Sequence, residues 1–107
     1  MKPFIPREWV KMRKQPFPTA TLDHVDQFGT AVFTDGKCVY APHSPGEVCW
    51  VREAWALNHD DLPAGKWRSP VTMPQWAARR HVRILSCVPE QRGEWGWRIE
   101  WEESNAL

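Results

Sequence analysis

Phe28-Gly29-Thr30-Ala31-Val32-Phe33-Thr34-Asp35-Gly36-Lys37-Cys38-Val39-Tyr40-Ala41 is the stretch that decides the fold class. Two runs rich in Val, Thr, Phe and Tyr, residues 28–34 and 37–41, flank Asp35-Gly36, a dipeptide that supplies the positive φ angles of a tight hairpin turn. The stretch reads as a β-hairpin, and the segments around it continue in the same register. Residues 19–25 favour a short strand by their β-branched content. Residues 42–46 are a loop ending in the Pro45-Gly46 turn, and a strand follows over 47–56. In residues 81–88, Val82, Ile84 and Val88 share one face with Ser86 between them, and His81, Arg83, Leu85 and Cys87 share the other. A turn follows at 89–93. Residues 96–103 alternate most cleanly, placing Trp97, Ile99 and Trp101 inward and Arg98, Glu100 and Glu102 outward.

Helix is confined to one or two short turns. Pro3, Pro6, Pro16 and Pro18 limit any helix near the amino terminus to residues 7–14, two turns at most. Pro70 and Pro74 do the same further on, leaving a short turn at 77–79. Five to six short strands with frequent turn signals predict a mainly β protein, a small barrel or a tightly curved sheet.

Length and composition bound the rest. The 107 residues predict one domain, with residues 1–18 as a Pro-rich basic arm packed by Phe4, Trp9 and Phe17. Net charge is +1, so bulk basicity carries no argument and any nucleic-acid contact must come from a local patch. No apolar run approaches ~20 residues, and Lys2, Arg7, Lys11 and Arg13 interrupt any signal-peptide pattern, so a cytoplasmic protein without membrane association is expected. Cys38, Cys49 and Cys87 lack C-x-x-C spacing, which argues against a disulfide framework. A zinc site from Cys38, His43, Cys49 and Cys87 would lack the tight ligand pairs usual for structural zinc, so no metal is expected. His59 beside Asp60 and Asp61 reads as a solvated group in a polar connection at 57–66. No Gly-rich phosphate loop, G-x-S-x-G elbow or H-E-x-x-H pair is present, and no cofactor is expected. The last four residues read as a frayed tail.

Eight tryptophans exceed what so small a core needs. Two pieces concentrate them: Pro45-Gly46-Glu47-Val48-Cys49-Trp50-Val51-Arg52-Glu53-Ala54-Trp55, and Lys66-Trp67-Arg68-Ser69-Pro70-Val71-Thr72-Met73-Pro74-Gln75-Trp76-Ala77-Ala78-Arg79. Adjacent Arg52 and Glu53 on a strand point to opposite faces. Two prolines four residues apart forbid a long helix or central strand, so Trp67, Met73 and Trp76 are expected along an irregular wall.

The order Cys38-x-Tyr40, Pro45-Gly46-x-x-x-Trp50-Val51-Arg52-Glu53-x-Trp55, Trp67, Met73-Pro74-x-Trp76-Ala77-x-Arg79 and Trp97-Arg98-Ile99-Glu100-Trp101-Glu102 resembles the ASCH-like, PUA-related domains of phages and prophages. The resemblance covers about residues 38–103 and implies a PUA/ASCH-like β-barrel with a cleft that binds RNA or nucleotides. Some relatives hydrolyse acetylated cytidine nucleosides, and others are ribonucleases. Their enzymes carry an early Lys-containing motif of the G-x-K-x-x-E-x-R or G-R-K-T-x-T type. The nearest segment here, residues 12–19, lacks the glycine and the acidic partner.

Binding to RNA, single-stranded nucleic acid or a nucleotide is therefore the leading expectation. Trp50, Arg52, Trp67, Trp76 and Arg79 would line the cleft, with Lys14, Arg68 and Arg80 on its rim. A hydrolase acting on an acylated nucleoside or on RNA would have to use Lys14, Thr19 and Glu53. Against that, Glu53 beside Arg52 suits a structural salt bridge. A third reading is a phage accessory protein that binds a host protein through its aromatic surface in the host cytosol. The expected state is a monomer or weak dimer.

Overall fold

A computed structural model describes residues 1–55 and 68–104, and the protein is mainly β. Eight strands occur among the described residues: β1 (Lys2–Phe4), β2 (Trp9–Lys11), β3 (Leu22–Val25), β4 (Ala31–Phe33), β5 (Cys38–Val39), β6 (Val48–Val51), β7 (His81–Arg92) and β8 (Glu94–Glu103). Two 3-10 turns, Pro70–Thr72 and Gln75–Ala77, are the described helical elements. The strand orders are β1-β6-β7-β8-β2 and β3-β4-β5, and neither sheet closes on itself. No helix among the described residues is long and apolar enough to cross a membrane.

The chain divides into two compact units, each assembled from separated segments. One comprises Met1–Pro6, Val48–Arg83 and Glu103–Leu107, and the other Arg7–Glu47 and Ile84–Glu102.

In the first unit β6 is the middle strand. It pairs in parallel with β1 (Lys2↔Cys49, Phe4↔Val51) and antiparallel with the start of β7 (Val48↔Arg83, Trp50↔His81). A strand flanked on both sides has no free ladder, and Cys49, Trp50 and Val51 are all buried. β6 is shorter than the strand expected over 47–56. After Val51 the Arg52 N–H donates to the Phe4 carbonyl at 2.8 Å, and the Glu53 N–H turns to the Met73 sulfur at 3.3 Å.

In the second unit β2 pairs with β8 (Trp9↔Arg98, Val10↔Trp97, Lys11↔Gly96). Residues 1–18 are therefore not a solvated arm: β1 and β2 are sheet strands, and residues 7–14 hold no helix. The prolines isolate two three-residue extended pieces, and pairing to a partner strand outweighs the weak local helix signal. Where β2 ends, Gln15 continues the ladder with its side chain. Its amide donates to the carbonyls of Met12 and Trp95, and its oxygen accepts the Trp95 N–H at 2.9 Å.

The expected hairpin is β4–β5, with two refinements. Only Gly36 has positive φ, at 88°, so Asp35 stays in the ordinary region. The Gly36 N–H donates to the Phe33 carbonyl and the Phe33 N–H to the Lys37 carbonyl, which makes a type I turn closed by a glycine bulge rather than a two-residue primed turn. β4 begins at Ala31, because Asp26 captures the preceding residues: its Oδ1 accepts the N–H groups of Phe28 and Thr30. The Pro45-Gly46 turn forms as expected, with Gly46 at φ 86° and the Glu47 N–H on the Ser44 carbonyl at 3.1 Å.

β7 runs through Pro89, and its turn with β8 lies at Gly93, later than the 89–93 segment suggested. β6 pairs with β7 only around His81–Arg83, so a residue with no N–H is tolerated at Pro89. Val82 and Ile84 are buried as alternation predicts, but Cys87 is also buried and Leu85 is exposed. Burial pushes the Cys87 thiol up from its ordinary value. On β8, Trp97 and Ile99 are buried and Trp101 is half-buried.

Gly96 is needed for close approach: the Trp9 indole lies where a Cβ would be, and its N–H donates to the Glu90 carbonyl at 3.1 Å. Gly96→Ala must displace that ring and is expected to cost about 1–3 kcal/mol in urea unfolding, the range for forced overpacking. A second prediction concerns Asp35. Hydrogen bonds from the Phe17 N–H, and then the Lys37 N–H, hold its carboxyl below its ordinary 3.8. A depressed folded pKa means the stabilisation is full above the ordinary carboxylate range and is lost as pH falls through the folded value. Asp35→Asn should therefore lower the urea midpoint at pH 7, with the gap to wild type closing as pH falls below the ordinary carboxyl value of 3.8 and through the depressed folded one. A gap independent of pH would refute the charged role of Asp35.

Candidate functional site

The proline-broken segment of the first unit is built around Trp55. Its backbone forms an isolated antiparallel bridge with Arg68: the Arg68 N–H donates to the Trp55 carbonyl at 2.7 Å, and the Trp55 N–H to the Arg68 carbonyl at 3.3 Å. Ser69 then starts the first 3-10 turn by accepting the Val71 N–H on its Oγ, with Pro70 at the position where no N–H is required. Thr72 Oγ1 lies 3.4 Å from the Trp55 indole nitrogen, within reach of its N–H. Pro74 is extended and opens the second turn, where the Ala77 N–H returns to the Pro74 carbonyl.

Trp50, Trp55 and Met73 form one buried cluster, with Ala77 and Ala78 packed against it. Trp50 is 5% exposed and Trp55 6% exposed. Trp50 was expected to offer a stacking face to a base, but its ring is core. Being the middle strand, β6 buries successive residues, and the Arg52 guanidinium lies 5.1 Å from the Trp50 ring centre.

Trp76 is the reverse case. It is 71% exposed and meets Trp55 edge to face, with ring centres 5.8 Å apart at 89°. The Arg68 guanidinium lies 5.2 Å from the Trp55 ring centre. The outward-facing groups here thus include an open indole, exposed Arg68, Arg79 and Arg80, and Val71, 65% exposed.

The arginines divide by their partners. Arg80 is committed: its Nε donates to Glu103 at 3.1 Å, a second guanidinium nitrogen bonds the same oxygen, and its Nη1 lies 3.7 Å from Glu53. Glu103 first, and Glu53 after it, hold the Arg80 pKa above its ordinary value. Arg52, Arg68 and Arg79 have no carboxylate partner among the described residues, and the Arg52 Nε is buried without a hydrogen bond.

The structure therefore assigns Trp50, Arg52, Glu53, Arg68, Trp76, Arg79 and Arg80 to one unit, and Lys14 and Thr19 to the other. Trp67, His59 and the 57–66 connection lie outside the described residues. Glu53 faces Arg80 at 3.7 Å and not its neighbour Arg52, so its ion pair is with a residue expected on the cleft rim. Sequence reasoning passed over Trp55 as the organiser of the segment. The Met73-Pro74 step four residues after Pro70 was the available signal, since a lone methionine between prolines needs a buried partner. Comparison with family models, with curated proteins and with solved structures finds no match to this chain.

The packing and the ion pair can be ranked. Trp55→Ala should cost about 3–5 kcal/mol by urea unfolding, the range for emptying a buried aromatic site. Glu53→Gln should change stability by at most about 1 kcal/mol, because the Arg80 pair is partly exposed. Equal losses would show that the ion pair, and not the indole, holds the segment.

Proposed function

We propose that this chain is an ASCH-like, PUA-related module of the phage and prophage type that binds single-stranded RNA or nucleotides through Trp76 and the arginines around it. The observation that carries the reading is the pairing of an indole 71% exposed with exposed arginines, of which Arg68 and Arg79 have no carboxylate partner among the described residues. A base stacks on an open indole and a phosphate takes a guanidinium, so the two residue types together suit one ligand chemistry.

Family membership rests on the order of the motifs along residues 38–103. The finer form of the fold, a small PUA/ASCH-like barrel, belongs to the same proposal, and the mainly β architecture agrees with it in class. Trp67 joins the binding residues on its motif alone. Binding is favoured over hydrolysis of an acylated nucleoside because Glu53, the proposed acid–base group, is engaged by Arg80. Host-protein binding would use the same exposed Trp76 and arginines as anchors, and the titration below separates it from the nucleic-acid reading.

Titration of the protein with a short single-stranded RNA should quench tryptophan fluorescence, with affinity falling steeply as salt rises. Trp76→Ala should weaken binding about 5- to 150-fold, the equivalent of ~1–3 kcal/mol per stacked base. No fluorescence change at low salt refutes the reading. Acetate release from acetylated cytidine that is lost in Glu53→Ala would favour the hydrolase instead.

A further inference from the structure

The second unit carries an aromatic surface that the Trp76 site does not use. Phe28 is 77% exposed and Tyr40 80% exposed, the largest fractions among its big apolar side chains. Two shallow grooves meet at Cys38 and Tyr40. One, of about 530 Å³, is lined by Lys14, Gly36, Lys37, Cys38 and Tyr40; the other, of about 390 Å³, runs past Phe28 and Val32. Tyr40 lies in both, so a ligand following the grooves passes over its ring.

The charges around the grooves are partitioned. Both acids are engaged by backbone: Asp35 accepts the Phe17 and Lys37 N–H groups, and Asp26 Oδ1 accepts those of Phe28 and Thr30. The cations are not so engaged. Arg13 and Lys14 are exposed and have no carboxylate partner among the described residues. Lys37 is the exception: its ammonium donates to the Gln15 carbonyl at 3.1 Å, over the Phe17 ring, and its charge also acts on Asp35. The surface thus offers cations at one end and flat rings along its length, with its acids turned to the turns they hold.

We propose that the grooves meeting at Tyr40 are a second binding surface for single-stranded nucleic acid, with bases stacked on Tyr40 and Phe28 and phosphates taken by Lys14 and Lys37. A polymer that alternates anionic and flat aromatic groups matches this partition, whereas an acidic peptide would satisfy the lysines and leave both rings bare. The proposal stands on this unit's own residues and does not depend on the Trp76 site.

Tyr40 is the single tyrosine of the chain, so incorporation of 3-fluorotyrosine gives one fluorine resonance that reports the groove alone. Cys38 gives a second readout, because it is the exposed thiol while Cys49 and Cys87 are buried. Titration of the full chain with a uridine octamer at low salt should shift the fluorine resonance saturably and slow alkylation of Cys38 by iodoacetamide. Both effects should persist in Trp76→Ala. Lys14→Ala should reduce the salt slope of the fluorine titration by about one. Tyr40→Ser, at an exposed position that leaves the fold intact, should abolish Cys38 protection. Absence of both the shift and the protection, or their loss in Trp76→Ala, overturns the proposal. Equal protection of Cys38 by a glutamate octamer also overturns it, since the surface would then read charge alone.

Discussion

The Trp55 indole is the contact on which the candidate site depends. Residues 68–80 contain two prolines and two 3-10 turns, and neither turn is long enough to be stable by its own hydrogen bonds. What fixes them is a single ring that packs Met73 and Trp50, lies within reach of Thr72, and meets Trp76 and Arg68 on its remaining sides. Filling one buried aromatic site is worth about 3–5 kcal/mol, a large share of the stability of a domain this size. The ion pair of Arg80 with Glu53 sits beside this packing and contributes far less, being partly exposed on both partners.

Class and local periodicity were legible in the sequence; the distribution of the tryptophans between core and surface was not. The β4–β5 hairpin and β8 were readable because alternation and turn chemistry are local properties, and Trp97 and Ile99 are buried as the alternation requires. β1 and β2 were hidden because three residues between prolines carry no periodicity, and only pairing to β6 and β8 makes them strands. Pro89 concealed the length of β7 for a related reason: a proline breaks a strand only where its missing N–H was needed. Trp50 and Trp76 sit in motifs that look alike in the chain, yet one is core and one is open. The difference is set by neighbours: β6 is flanked on both sides, and a three-residue 3-10 turn has one face to bury.

The net charge of +1 conceals how charge is distributed, which no composition could have shown. In the first unit Glu53 and Glu103 both serve Arg80, while Arg52, Arg68 and Arg79 carry no such partner among the described residues. In the second unit Asp26 and Asp35 are engaged by turn backbones, and Arg13 and Lys14 have no carboxylate partner among the described residues. A balanced chain thus leaves exposed cations in each unit, because part of its acids is committed to Arg80 and to turn backbones. Such cations act within about a Debye length, roughly 8 Å at physiological salt, so they would act on a ligand in contact and not steer one from afar.

The exposure of Trp76 follows from the turn that carries it. Ala77 and Ala78 face the Trp50–Trp55–Met73 cluster, so the residue before them must point away from it. Small residues inward let the turn sit close to the cluster, and the bulky indole then meets Trp55 in a single perpendicular contact. An aromatic side chain buries about 150–250 Å² when packed, so leaving most of the ring in water forgoes about 3 kcal/mol of hydrophobic stabilisation. That is the same size as the ~1–3 kcal/mol a stacked base supplies. The turn therefore holds a flat ring open and already in contact with Trp55, so a base stacking there, as proposed, would recover what packing left unused without first ordering a mobile side chain.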